Sequence, residues 1–271
     1  MVSAKVHTPV VLMPKRNKII LGIDIGGTKV ELCRFNSSFQ CLKSQRLSTK
    51  QVSSQGSLNP ALVGQAARLH MSGVQRVGVA IKGVVGNGKL KSSSLFSEGK
   101  AVNVSKTLGK ILGVPISLVN DVEAMALAEQ RFGAGRMASS FVLVNLGTGI
   151  RAVYVQEGRC LVGTQGTAGE ISHLFPVFSR KQAPVGSLVR IIAPILVQVS
   201  AFYDPKVIVL QGGVGRAMRR VLPQLISEYR RLLPRRAVPS RVTVSKLEHA
   251  GSLGAALVAP GRSLDGFLAQ C

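Results

Sequence analysis

Short apolar runs that end in glycine alternate with segments of helical periodicity along most of the chain. The clearest runs lie in segments 19–27 and 141–149, and each closes on a glycine turn. A second apolar segment follows each of them at once, over 30–35 and 151–156. This spacing predicts two strand hairpins with glycine turns, one in each half of the chain.

Strands and helices alternate after each hairpin. Helical spacing predicts helices over 60–71, 104–112, 122–132, 188–203, 216–233 and 251–258. Further strands are predicted over 74–81, 115–119, 207–210 and 242–247. The stretch 87–101 is rich in loop-forming residues and is predicted to be irregular. The pattern indicates an α/β chain with two similar halves.

The composition narrows the function classes. Apolar residues make up 46% of the 271 residues and charged residues 17%, which excludes a disordered chain and provides core for about two domains. The chain has 35 Lys and Arg against 12 Asp and Glu. Such a charge attracts polyanions, but no nucleic-acid-binding motif and no interleaved aromatics accompany it. A nucleic-acid partner is therefore the last of our functional hypotheses. The alternative explanation of the positive charge is a basic bias throughout the proteome.

The cysteines and the N-terminus predict a cytoplasmic protein. Cys33, Cys41, Cys160 and Cys271 form no CxxC pair, which indicates free thiols in a reducing compartment. The best apolar run is segment 191–199, shorter than the roughly 18 residues of a membrane span. Residues 1–18 are basic and lack an apolar signal core, so we predict a short tail rather than a targeting peptide.

The first glycine turn combines a carboxylate with bare backbone. Asp24 ends the strand run, and Gly26, Gly27, Thr28 and Lys29 follow. Adjacent glycines let main-chain N–H groups approach an anion, and the hydroxyl and ammonium add donors. Asp24 would hold the magnesium of a nucleotide through water. The alternative is an ordinary hairpin turn.

Two later glycine segments extend this hypothesis. Gly147, Thr148 and Gly149 repeat the turn in the second half, so that two turns would grip a polyphosphate from both sides. Gly212 and Gly213 follow a strand and precede a helix, which leaves room for a base and ribose.

The remaining polar candidates lie at strand ends and in one loop. Asn120 and Asp121 join a strand to a helix, at the sheet edge where α/β proteins bind ligands; the alternative for Asp121 is a helix N-cap. Glu129, further along that helix, is interpreted as a surface acid. Glu170 and His173 share a glycine-rich loop and suit hydrogen bonding to vicinal hydroxyls, although a lone histidine is usually structural.

Taken together, these segments resemble the ROK family of sugar kinases, which share the actin-like ATPase fold. The resemblance runs from about residue 19 to residue 258 in six ordered motifs. They are 21–29 (LGIDIGGTK), 78–85 (GVAIKGVV, similar to GIAIPGxV), 120–129 (NDVEAMALAE), 146–150 (LGTGI), 168–173 (AGEISH) and 204–213 (DPKVIVLQGG).

The resemblance implies two actin-like, ribonuclease H-like α/β domains with a cleft between them. Residues 19–118 would form the first domain, joined by the last helix within 251–271, and residues 119–250 the second. It implies an ATP- and Mg²⁺-dependent kinase acting on a hydroxyl of a hexose, amino sugar or cyclitol. The family is often dimeric, so we expect a homodimer and no membrane partner.

The family's roles carry over residue by residue. Asp121 would be the general base, and Asn120, Glu170 and His173 would bind the sugar hydroxyls. The turns at 26–28 and 147–149 would cradle phosphates, with Lys29 beside the first, and Gly212 and Gly213 would face adenosine.

Three departures bear on substrate and activity. The family commonly carries a cysteine-rich zinc motif after the histidine, but segment 174–189 has no cysteine, so we expect no zinc there. Ser172 replaces a glycine. Arg151 stands where another glycine is usual, and would either contact phosphate or obstruct the nucleotide. A non-catalytic sugar-binding or regulatory relative of the family is therefore the alternative.

Overall fold

The computed structural model describes residues 18–97, 102–147, 149–172 and 185–260. The β-strands in these ranges are β1 Ile19–Ile25, β2 Lys29–Phe35, β3 Cys41–Ser48, β4 Ser53–Ser54, β5 Ser57–Leu58, β6 Val74–Ile81, β7 Val84–Gly86, β8 Lys89–Ser92, β9 Ile116–Asn120, β10 Ser140–Leu146, β11 Ile150–Gln156, β12 Arg159–Cys160, β13 Val207–Gln211 and β14 Arg241–Val244. The α-helices are α1 Pro60–Arg68, α2 Val104–Leu112, α3 Asp121–Phe132, α4 Val185–Tyr203, α5 Gly212–Ala217, α6 Leu222–Leu232 and α7 Ala250–Leu257.

Two five-stranded sheets share one topology. Their strand orders are β3-β2-β1-β6-β9 and β12-β11-β10-β13-β14. In each sheet the central strand pairs antiparallel with the returning strand of its hairpin and parallel with a strand from further along the chain, β6 in the first sheet and β13 in the second. The prediction of an α/β chain with two similar halves is confirmed.

The burial of each sheet follows from its sequence. The central strands β1 and β10 are almost wholly buried, which is why they are nearly continuous apolar runs. The edge strand β3 is mostly exposed and polar, as expected where pairing with another chain must be avoided. α1 and α2 cover the first sheet, and α4 and α6 cover the second.

Helices α3 and α7 pack against each other between the sheets. A Cβ on Gly254 of α7 would overlap the Ala124 carbonyl of α3, so the approach requires glycine at that position. α7 also lies against β1 and β6 of the first sheet. The domain boundaries remain predictions, and residues 1–17 and 261–271 lie outside the described part of the chain.

Helix α4 (Val185–Tyr203) extends well beyond the apolar run 191–199 that was noted in the sequence. It is the one helix in the described ranges with the length and composition of a membrane span. Its inner face, with Ile192, Ile195 and Leu196, is fully buried in the core of the second half. Of the 18-residue window Gly186–Tyr203, 33% is buried inside the structure.

Candidate functional site

Both hairpin turns line one cavity of about 480 Å³ between the two halves. The predicted site residues that line it are Asp24, Gly26, Gly27, Thr28, Lys29, Asp121, Gly147, Gly149, Glu170, Gly212 and Gly213. Thr148 and His173 lie outside the described residues. The structure therefore brings together residues that are up to about 190 positions apart in the sequence.

A main-chain hydrogen bond closes each of the two turns. Gly26 N–H donates to the Lys29 carbonyl at 2.9 Å, and Gly147 N–H donates to the Gly149 carbonyl at 2.9 Å. Thr49 fixes the first turn, since its hydroxyl donates to the Gly26 carbonyl at 2.8 Å. Gly26 in the first turn and Gly147 in the second line the cavity.

Asp24 is a buried carboxyl at the end of β1. It is 6% exposed, and its burial, with a further contribution from Asp121, raises its pKa to about 7 against the opposing charge of Lys29. A Cβ on Gly251 of α7 would overlap the Asp24 carboxylate. The Asp24 carboxyl makes no hydrogen bond or close ion pair within the part of the chain that the structure describes.

Asn120, rather than Asp121, caps helix α3. The Asn120 Oδ1 accepts from the N–H groups of Val122 at 2.8 Å and Glu123 at 3.1 Å, and its Nδ2 donates to the Gly83 carbonyl at 2.7 Å. The N-cap alternative for Asp121 is therefore wrong, because the preceding residue takes that place. The Asp121 carboxyl lines the cavity, and Asn120 does not.

Two opposing effects act on the Asp121 carboxyl. Burial raises its pKa above the ordinary value, whereas the nearby Arg151 guanidinium lowers it. Glu170 raises the pKa further, and Lys82 lowers it. The acid therefore lies in a partly desolvated place among charges of both signs.

Arg151 is held by two acids. It is 4% exposed; its Nη2 lies 3.0 Å from Glu123 Oε1, and its Nε lies 3.5 Å from Glu170 Oε1. Burial raises the pKa of Glu123 to about 7, while Arg151 opposes that rise. The structure thus gives the guanidinium a third role that sequence reasoning missed, as the centre of a buried ion network behind Asp121.

Glu170 and Ser172 connect the 166–172 loop to the second turn. The Glu170 side chain is 46% exposed and also borders a wider groove of about 1050 Å³. The Ser172 hydroxyl donates to the Ile150 carbonyl at 2.9 Å and accepts from the Ile150 N–H at 2.7 Å. Ser172, in place of glycine, therefore fixes the strand that leaves the turn.

Glu129 is fully buried, so its interpretation as a surface acid is wrong. Its Oε2 accepts from the Ala134 N–H at 2.8 Å, and its Oε1 accepts a short hydrogen bond from the Ser245 hydroxyl. Gln211 Nε2 donates to Ser245 at 3.2 Å, and Gln211 Oε1 accepts from the Gly212 N–H at 3.1 Å. This chain of hydrogen bonds positions the glycine pair at the start of α5.

Two cationic residues of the cavity were not singled out in the sequence. Lys82 follows β6 and borders both the cavity and the wider groove, and Arg216 lies on α5. Lys82 stands where the motif GIAIPGxV has proline, and that departure was the available signal. Arg216 was visible only as part of a basic cluster.

Comparison with known proteins identifies the family. The family model described as the ROK family matches residues 20–187 and 179–262. The N-acetylmannosamine kinase of Escherichia coli O157:H7 is 30% identical over 155 residues, which is 56% of this chain and 53% of that protein. The chain thus spans about half the length of the curated relatives it matches.

Solved structures share the fold. A ROK family glucokinase from Streptomyces griseus, in complex with glucose and AMPPNP, aligns with TM-score 0.70 and 19% identity over 88% of this chain and 98% of that chain. An inorganic polyphosphate/ATP-glucomannokinase from Arthrobacter sp. strain KM aligns with TM-score 0.69 and 22% identity over 89% and 97%. The expectation of an actin-like two-domain α/β fold is confirmed.

Proposed function

Since the chain belongs to the ROK family, we propose that it is an ATP-dependent sugar kinase with Asp121 as the general base. The observation that carries this proposal is the single cavity that Asp121 shares with both glycine turns. A polyphosphate lying between the turns would have its terminal phosphate within the same space as the carboxylate. Phosphoryl transfer depends mainly on such positioning and on charge stabilisation.

The nucleotide would be bound by backbone and cations. The turns at 26–28 and 147–149 would supply main-chain N–H groups to the phosphates, with Lys29 beside the first turn. Gly212 and Gly213 would face the adenosine. Lys82 and Arg216 add positive charge on the cavity wall.

The donor set at the cavity fits magnesium. Asp24 is a buried carboxylate that has no hydrogen bond or close ion pair among the described residues, and the charge of Asp121 acts on it. Carboxylate oxygens are the ligands that Mg²⁺ prefers, often through water. Asp24 would hold the cation, and the bound cation would neutralise charge on the phosphates.

Asp121 would take the proton from a sugar hydroxyl as the hydroxyl oxygen attacks the γ-phosphorus. The new O–P bond forms, the bond to the β-phosphate oxygen breaks, and ADP leaves with the electron pair. Glu170 would accept hydrogen bonds from neighbouring hydroxyls of a hexose, amino sugar or cyclitol. The sugar-binding roles of Asn120 and His173 remain predictions, and in this structure the Asn120 amide positions α3 instead.

The test is ADP release with ATP and Mg²⁺ over a panel that includes glucose, mannose and N-acetylmannosamine. We expect turnover with at least one sugar, and a loss of about 10²–10⁴ in kcat for Asp121→Asn. The matched control is Asp204→Asn, because Asp204 is exposed and has φ 41°, a conformation that asparagine adopts readily. It should retain full activity.

Two results would count against the proposal. If the Asp121→Asn protein keeps its turnover, Asp121 is not the general base. Sugar binding by calorimetry with neither ATP binding nor turnover would favour the alternative, a non-catalytic sugar-binding relative.

A further inference from the structure

Three metal-binding side chains meet outside the cavity. Cys33 lies on β2, Cys41 begins β3, and His249 directly precedes α7. The two sulfur atoms and one ring nitrogen all lie within 4.8 Å of one another. None of the three residues lines the cavity between the glycine turns.

The fold brings these residues together from distant parts of the chain. β2 and β3 are antiparallel neighbours. Cys41 on β3 pairs with Phe35 on β2, and Phe35 lies two residues after Cys33. The register shifts between Arg34 and Phe35. α7 packs on β1 and β2, and that packing brings His249 to the two thiols.

The ring nitrogen Nδ1 of His249 is buried beside a carboxylate. His249 Nδ1 is buried and makes no hydrogen bond among the described residues. The nearest acid is Glu31, whose Oε1 lies 3.4 Å away. Arg46 and Ser252 hold the Glu31 carboxylate in place. A carboxylate beside one ring nitrogen is the common arrangement that orients an imidazole whose other nitrogen binds a metal.

We propose that Cys33, Cys41 and His249 bind a zinc-class divalent cation. Thiolate and imidazole are the ligands that Zn²⁺ prefers. Zinc bonds of about 2.3 Å to sulfur and 2.0 Å to nitrogen place tetrahedral ligand atoms about 3.5–3.8 Å apart. The three ligand atoms, which lie within 4.8 Å of one another, therefore need to approach by about 1.3 Å at most. Both thiols release their protons to the solvent on binding.

The fourth ligand position opens toward water. Cys33 is buried, His249 is partly buried and Cys41 is exposed, so the metal enters on the Cys41 side and a water molecule completes the tetrahedron. None of the three proposed ligands belongs to segment 174–189, on which the expectation of no zinc was based. It connects the edge of the first sheet to the start of α7, two residues before Gly251 meets Asp24.

Cobalt titration tests the site directly. Reduced full-length protein carrying Cys271→Ser is titrated with Co²⁺, whose thiolate charge-transfer and tetrahedral d–d bands report the ligand set. We expect saturation at one equivalent and displacement by Zn²⁺. Cys41→Ser should abolish the bands, and Glu31→Gln should weaken Zn²⁺ binding about 10–100-fold. The matched control is Cys160→Ala, because Cys160 is a buried free thiol away from the cluster; it should bind as the parent does.

The Cys41→Ser protein remains interpretable because Cys41 is exposed, and its circular dichroism should match that of the parent. Absence of thiolate charge-transfer bands in the parent would overturn the proposal. Bands that persist in Cys41→Ser, or a Cys33–Cys41 disulfide that forms on mild oxidation despite saturating Zn²⁺, would overturn it as well.

Discussion

The buried ion pair behind Asp121 allows a quantitative test of the candidate site. The Arg151 and Glu123 side chains are each 5% exposed, and Nη2 lies 3.0 Å from Oε1. Removing Glu123 leaves a guanidinium that cannot lose its proton and, among the described residues, keeps only the half-exposed Glu170 as an ion-pair partner, 3.5 Å from its Nε, whereas removing Arg151 leaves a carboxyl that can become neutral. We therefore expect unequal effects from Glu123→Met and Arg151→Met on the free energy of unfolding.

The magnitudes follow from the geometry. Two unit charges 3.0 Å apart attract by about 5.5 kcal/mol at an effective dielectric constant of about 20. Burial costs each ion several kcal/mol of hydration, so the intact pair adds little net stability. Breaking the pair from one side lowers the free energy of unfolding by about 3–5 kcal/mol. Glu123→Met should lie at the upper end of that range, and the double variant should unfold within about 2 kcal/mol of the parent.

The pH dependence separates the two single variants. Burial raises the pKa of Glu123 from 4.5 to about 7 even with Arg151 present, and without the cation the pKa rises further. The folded Arg151→Met protein then keeps a proton that the unfolded chain releases above about pH 4.5. Its stability therefore falls as the pH rises, and its deficit relative to the parent is larger at pH 8 than at pH 6. The Glu123→Met protein has no carboxyl at position 123, so the titration of that group in the variant adds no pH dependence to its stability.

Urea unfolding followed by far-ultraviolet circular dichroism provides the measurement, because the chain has no tryptophan. All four proteins should show the same denaturant dependence. If the two single losses simply add in the double variant, or if Arg151→Met is equally destabilised at pH 6 and pH 8, the account of a coupled buried pair is wrong.

Two further substitutions test the packing of α3. Gly254→Ala should lower the free energy of unfolding by about 1–3 kcal/mol, because its Cβ would overlap the Ala124 carbonyl. The control is Gly186→Ala on α4, which has open space around it and should raise the free energy of unfolding by about 0.4–1 kcal/mol. Equal effects of the two substitutions in urea unfolding would contradict the close contact between α3 and α7. Burial raises the pKa of Glu129 above 4.5, so its folded carboxyl keeps its proton as the unfolded one ionises and stability falls as the pH rises. Glu129→Gln should show a shallower fall between pH 5 and pH 8 in thermal unfolding, and an unchanged slope would mean that this carboxyl ionises normally in the fold.

The sequence was sufficient for the elements whose cause is local. Apolar runs that stop at glycine predict both hairpins, because short runs rich in Ile, Val and Leu are typical of buried strands and glycine permits the turn. Strand β8 (Lys89–Ser92) was missed because it is polar, and its pairing with Val84–Gly86 determines it. The helix predicted over 216–233 starts earlier, at Gly212, and is interrupted before α6. Pro223 in the first turn of α6 explains the new start, since proline cannot donate to the preceding turn.

The residues of the candidate site also fall into those that the sequence could predict and those that it could not. Residues on the turns after strands could be found from spacing, since strand ends in an α/β fold converge at one edge. The partners of buried acids could not. Glu123 meets Arg151 across 28 positions, and Glu129 meets Ser245 across 116. Nothing local to Glu129 distinguishes it from a surface acid on α3, so its burial is visible only once α3 is packed.

The scarcity of acids carries more information than the excess of bases. Among the acids in the described ranges, four are buried, namely Asp24, Glu31, Glu123 and Glu129, although burying a carboxylate is unfavourable unless it finds a partner. Arg46 compensates Glu31, Arg151 compensates Glu123, and Ser245 with Ala134 compensates Glu129. Asp24 has no comparable partner among the described residues, and it faces the cavity. A cation brought by the ligand would compensate the Asp24 carboxylate, which is the physical ground for proposing that Asp24 holds the magnesium of a bound nucleotide.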